Sequence, residues 1–290
     1  MDITKIIQKA RPNLKPQSIK TYLANIRKIS GEKEIEDLRF LNDPNEIFEK
    51  LNPLVLTMKR NILSAIIVLI SALPDFSVEL YKTYADKLLQ FTTEYKIEMS
   101  KNQKSATQEK NWTSMAVLSK ITRKLLKENP KGQNSLIASL YTMQSPQRLD
   151  YYNMEIVGPK TEILLNKNYL IIDSRNKKRF VFNDFKTANK YNTVTIPVNK
   201  KLNTIINKFL KLNPERKYVL QNKQGEPMTR NSLGKTLPKI FAPSGKHVSL
   251  NLIRHMFISE NINIDQSKKQ KEMADSMMHS GDMQLQYAKV

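Results

Sequence analysis

Five side chains in the later part of the chain are of types, and in an order, that could bind and attack a phosphate ester. Arg148 lies in SPQRLDYYNMEI, Lys186 in NDFKTANKYN, Arg254 in SLNLIRHMF, His279 in MMHSGD and Tyr287 in LQYAKV. Two guanidiniums can clamp the non-bridging oxygens of a phosphodiester with fixed, charge-assisted hydrogen bonds, where attack concentrates negative charge. An ammonium can hand a proton to a departing oxygen. A phenol, with an ordinary pKa of about 10, becomes a useful nucleophile when a positive cluster and a proton acceptor lie close. Arginines that stabilise this charge remove the need for a divalent ion. Each residue also has an ordinary reading by itself. An arginine near a helix end makes a salt bridge or a cap contact, a lysine in a turn is solvated, a terminal tyrosine packs, and a lone histidine is a hydrogen-bonded structural residue.

The elements that must position these residues follow from apolar periodicity. In PQSIKTYLANIRKISG, Ile19, Tyr22, Leu23, Ile26 and Ile29 recur at helical spacing, with Ser18 as the expected N-cap and Gly31 as the stop. A longer helix is expected through NPLVLTMKRNILSAIIVLISALP, ended by Pro74, and another through VELYKTYADKLLQFTTEYKIEM. Residues 1–98 thus read as a small helical bundle. The polar, aperiodic MSKNQKSATQEKN suits a linker over residues 99–111, before a second domain over 112–290. That domain is helical through WTSMAVLSKITRKLLKE and NSLIASLYTMQ, then changes period. NYLIID, KRFVFNDF and NTVTIPV are β-branched or aromatic runs, expected as three short antiparallel strands with Lys186 in the turn between the second and third. Helical patterning returns at LNTIINKFLKL, at NSLGKTLPKIF, and through LNLIRHMFISENI to the end. The fold class is therefore mainly α with a small antiparallel β-sheet, an α+β arrangement.

Composition narrows the chemistry. Lys and Arg number 48 against 27 Asp and Glu in 290 residues, a formal charge of +21 whose natural partners are polyanions, nucleic acid first. A coding bias toward lysine and asparagine would also raise this charge without selecting a partner. There is no cysteine, so no disulfide framework, thiolate nucleophile or cysteine zinc site. With three histidines, His247, His255 and His279, a metal centre would have to rest mostly on carboxylates, and seven glycines leave no P-loop or dinucleotide fingerprint. Neither a metal nor an organic cofactor is expected. The start MDITKIIQKARPN has no signal-peptide core, and the apolar run ILSAIIVLISAL is too short to span a bilayer. The expectation is an intracellular protein located wherever its DNA is, with no membrane partner.

The ordered set resembles the catalytic domain of the tyrosine recombinases, the phage-integrase superfamily. That family carries an arginine after a helix, a lysine on a β-hairpin, a His-x-x-Arg-His box, a Gly-His or similar step, and a nucleophilic tyrosine eight to ten residues beyond. Here RHMF matches the arginine box and MHSGDMQLQYAKV the closing segment, with Tyr287 eight residues after His279. The helical first domain, led by SIKTYLANIRK, resembles the core-binding domain that grips the other side of the DNA. The resemblance implies a site-specific recombinase or integrase acting on double-stranded DNA, as a homo-tetramer on two sites, without metal or ATP. It makes Tyr287 the nucleophile of a 3′-phosphotyrosyl intermediate, Arg148 and Arg254 the phosphate clamp and Lys186 the acid. His279 then assists proton transfer or orients the phosphate. The composition would suit a virus or mobile element with an AT-rich genome.

The chain departs from that pattern in several places. The position three before Arg254, usually His or Lys, is Asn251, whose amide can contact a phosphate oxygen but cannot transfer a proton. His255 is expected to be a buried, hydrogen-bonding imidazole, and His247 could supply the missing imidazole instead. No acid stands three after Arg148, where Tyr151 lies, although Asp150 is adjacent. Only Ala288, Lys289 and Val290 follow Tyr287, where many members carry a helix that docks on a neighbouring protomer. A type IB topoisomerase uses the same ensemble to nick and reseal one duplex, and a binding protein on a decayed scaffold is the third possibility. In the first domain, Lys59, Arg60 and the face from Lys20 to Lys28 are expected to touch the DNA backbone.

Overall fold

The computed structural model describes residues 2–278 and residue 280 and separates into two compact units, Met1–Gln103 and Lys104–Val290. His279 and Tyr287 lie outside the described residues.

The first unit comprises α1 (Ile3–Ala10), α2 (Pro16–Ser30), α3 (Pro44–Leu51), α4 (Leu56–Ile70) and α5 (Val78–Ser100). Its centre is α4, which buries Ile62, Leu63, Ala65, Ile66, Val68, Leu69 and Ile70. A helix apolar on nearly every side must be surrounded, and α1, α2 and α5 pack on it. The first turn of α2 is set by Pro16 with Lys15 at the cap, not by Ser18, because proline already carries helical φ and needs no N–H partner there. Gly31 closes α2 in the left-handed region at φ 84°, where a side chain would be strained. The end of α4 at Ile70 precedes Pro74, with Ser71 as its cap.

The stretch expected as a linker is partly helical. The last turn of α5 runs to Ser100, and a reciprocal Ser105–Gln108 capping box starts α6 (Ala106–Asn111). Its apolar periodicity is nil, so the helix rests on that cap and on two tethers: the Asn111 side chain accepts from the His247 amide at 3.0 Å, and Lys246 Nζ donates to the Lys110 carbonyl at 2.8 Å.

The second unit continues through α7 (Met115–Glu128) and α8 (Gln133–Thr142), the latter buried from Ser135 to Tyr141. Then come β1 (Glu155–Val157), β2 (Tyr169–Ile172), β3 (Lys178–Phe182), α9 (Ala188–Tyr191), β4 (Val194–Pro197), α10 (Lys200–Lys211), α11 (Arg230–Ile240), α12 (Leu250–Asn261) and α13 (Ile264–Ser276). The three expected strands pair antiparallel as β2–β3–β4, but β1 adds to β2 in parallel, so the sheet is mixed and not purely antiparallel. A three-residue strand carries too few positions for an alternation to register. One face of the sheet sends Phe180 and Phe182 into a cluster with Tyr141 and Tyr151, whose rings meet edge-on at 5.0 to 5.6 Å.

Candidate active site

Arg148 follows α8 on a loop pinned from both sides. The Tyr141 hydroxyl donates to the Arg148 carbonyl at 3.1 Å. Three residues on, fully buried Tyr151 anchors the loop in the aromatic cluster. The guanidinium itself is half-buried and turned toward the β3–β4 connection, where Nη1 donates to Thr187 Oγ1 at 3.4 Å. Thr187 is next to Lys186, which is exposed in a turn between β3 and α9. The fold thus brings two of the expected residues, separated by most of the sheet in sequence, to one turn.

Asp150 is buried to 4% exposure, and its Oδ1 accepts from Arg230 Nη2 at 2.5 Å. Burial raises its carboxyl above the ordinary carboxylate range, against the pull of the Arg230 and Arg148 guanidiniums. Arg230 is the first residue of α11, and its guanidinium also lies 5.3 Å from the centre of the Tyr152 ring. A cation at a helix N-terminus opposes the helix dipole, so the Asp150 carboxylate and the Tyr152 face offset that cost. Sequence reading missed Arg230. Its one signal was a Thr229 N-cap followed by a cation with no acid in the first turn.

Arg254 sits on α12, half-buried, between Ile253 and Met256, which enter the core. It makes no hydrogen bond or ion pair among the described residues, and none links it to Arg148 or Lys186. Asn251 and His255 are one turn apart on the same helix, and both are exposed. The expected burial of His255 is therefore corrected: Leu252, Ile253 and Met256 fill the inward arc of α12 and leave His255 outside it. His247 is exposed as well, and its main-chain N–H donates to the Asn111 side chain.

In the first unit, Lys20 and Lys28 are exposed along α2. Lys59 and Arg60, expected to touch the DNA backbone, have neighbours on α5. Lys59 Nζ lies 5.2 Å from the Phe91 ring centre, and the Arg60 guanidinium lies 4.3 Å from that of Tyr95 while its Nε donates to Thr92 Oγ1 at 3.2 Å. Both side chains bind α4 to α5. Among the described residues no helix is long and apolar enough to cross a membrane. The chain matches no protein-family model, no curated protein and no solved structure.

Proposed function

We propose that the chain is a DNA breaking and rejoining enzyme of the tyrosine recombinase type, acting on double-stranded DNA as a tetramer across two sites. The observation that supports it most is the approach of Arg148 to the turn that carries Lys186, through Thr187. A guanidinium turned toward the loop of a solvent-facing ammonium is the kind of cation pair that a phosphodiester entering that turn would require.

In this reading Arg148 and Arg254 hold the non-bridging oxygens, and Asn251 adds a hydrogen bond from α12. The Tyr287 oxygen attacks phosphorus, and the bond to the 5′ oxygen breaks. That oxygen takes its proton from Lys186, and the phenol passes its own to His279 or, through it, to water. The product is a 3′-phosphotyrosine, which a second DNA hydroxyl reverses without ATP, because the ester stores the bond energy. Exposed cations such as Lys20 and Lys28 would add salt-dependent contacts to the duplex backbone.

The test is incubation with nicked duplexes, drawn from sequences that the protein enriches out of a random pool, without metal or ATP. A covalent adduct mapped to Tyr287 and lost in Tyr287→Phe, with binding retained, supports the proposal. Binding without any adduct overturns it in favour of a binding protein. Relaxation of supercoiled DNA lacking a partner site assigns nicking and closing instead.

A further inference from the structure

Asn168 immediately precedes β2 and is fully buried. Main-chain groups occupy every hydrogen-bonding position of its amide. Nδ2 donates to the carbonyls of Asp150 at 3.0 Å and Asp184 at 2.9 Å. Oδ1 accepts from the N–H of Asn183 at 2.8 Å and of Asp184 at 2.9 Å. A primary amide offers two donors and two lone pairs, so this one is saturated. Its orientation is also fixed, since a flip would set oxygen against two carbonyls and N–H against two N–H groups.

Asn183, also buried, repeats the device one layer out. Its Nδ2 donates to the carbonyls of Leu164 at 3.1 Å and Lys167 at 3.0 Å, and its Oδ1 accepts from the Thr193 hydroxyl at 2.7 Å.

The loops joined by Asn168 are those that carry Arg148, two residues before Asp150, and Lys186, two residues after Asp184. The contact between Arg148 and Thr187, at 3.4 Å, is long for a hydrogen bond and cannot set their separation alone. Asn168 spans the two loops with shorter bonds, one to the Asp150 carbonyl and three to Asn183 and Asp184, and all of them end on backbone rather than on mobile side chains. Aspartate would face two carbonyls with a carboxylate oxygen, and alanine would leave two carbonyls and two N–H groups unpaired inside the protein.

We infer that Asn168 is a positioning residue, an amide clip that holds Arg148 and Lys186 in register for a phosphate, with Asn183 holding the clip. The role in turnover rests on the reaction proposed above, while the holding of the two loops does not.

The experiment compares the full chain with Asn168→Ala and Asn168→Asp by amide hydrogen exchange, affinity for duplex DNA and single-turnover cleavage of the nicked duplexes. Exchange at Asn183 and Asp184 should rise by about tenfold, with α8 and α10 unaffected. Cleavage should fall by about 10²-fold through misplacement of the two cations, with DNA affinity unchanged. Cleavage at the wild-type rate despite faster exchange would overturn the inference. So would faster exchange across the whole second unit in both variants with cleavage falling in step, since the amide would then only keep the unit folded. A wild-type protein that forms no adduct fails the proposed reaction, and the exchange at Asn183 and Asp184 then still decides whether the clip holds the loop that carries Lys186.

Discussion

Two sets of cations, one in each unit, are held in different ways. In the first, Lys59, Arg60 and Lys87 lie over the rings of Phe91, Tyr95 and Phe48, so these cations serve as packing between helices. In the second, Arg230 donates to buried Asp150 at 2.5 Å while also lying over the Tyr152 ring, and Arg148 reaches Thr187, the neighbour of exposed Lys186, through a longer contact of 3.4 Å. Cation–π contact is tolerant of angle and distance, and it covers apolar surface with the side-chain stem. A guanidinium held by directional bonds has a defined fork to offer a planar or tetrahedral anion. A net charge of +21 does not by itself mark a binding face, because some of its cations also pack on aromatic rings of their own unit.

The contrast is broken most directly at the arginines. Arg148→Ala is expected to lower adduct formation by about 10² to 10³-fold with the urea midpoint little changed, whereas Arg60→Ala leaves the cleavage rate intact. Equal losses in a single-turnover assay would erase the distinction between the units.

Asp150→Asn tests the buried carboxylate. Burial holds the folded-state value of Asp150 above its unfolded one, so its stabilising contribution is complete in acid and is lost as pH rises through the raised value. Starting near pH 4, about the unfolded value of an aspartate, the Asn variant should gain stability relative to wild type as pH rises toward neutral. Urea unfolding at a series of pH values reads this, and a gap that moves the other way would mean that Arg230 outweighs burial.

Arg60→Ala should destabilise the first unit by about 1 kcal/mol, from the lost stacking on Tyr95 and the lost bond to Thr92. The check is the unfolding transition followed in the same titration. The smallest effect is expected on α2. Lys20→Gln and Lys28→Gln should each reduce the slope of log affinity against log salt by about one, while Lys59→Gln leaves it unchanged. If Lys59→Gln changes the slope as much, its place over Phe91 does not withdraw it from DNA.

Much of this architecture was legible because the signals are local. Helical spacing marked α2, α4, α5, α7, α10 and α12 within a few residues, and β-branched runs marked β2, β3 and β4 with Lys186 in the expected turn. The misreadings are of two kinds. Short or polar elements carry no periodicity: β1 has three residues, and α6 is held by its capping box and by tethers from Lys246 and His247, far along the chain. Side-chain surroundings were the other kind. His255, expected to be buried, lies outside the buried arc of α12. That outcome is not encoded in the residue itself.

By itself, the sequence determined the helical bundle, the antiparallel part of the sheet and the candidate residues with their order, since these depend on spacing and side-chain type. Tertiary structure alone decided that Arg148 reaches Thr187, that Arg230 pairs with Asp150, and that Asn168 joins the Asp150 and Asp184 loops. The physical reason is that these are directional contacts between distant segments. Directional bonds form only after apolar burial has brought their ends within about 3 Å, and no local pattern records which ends those will be.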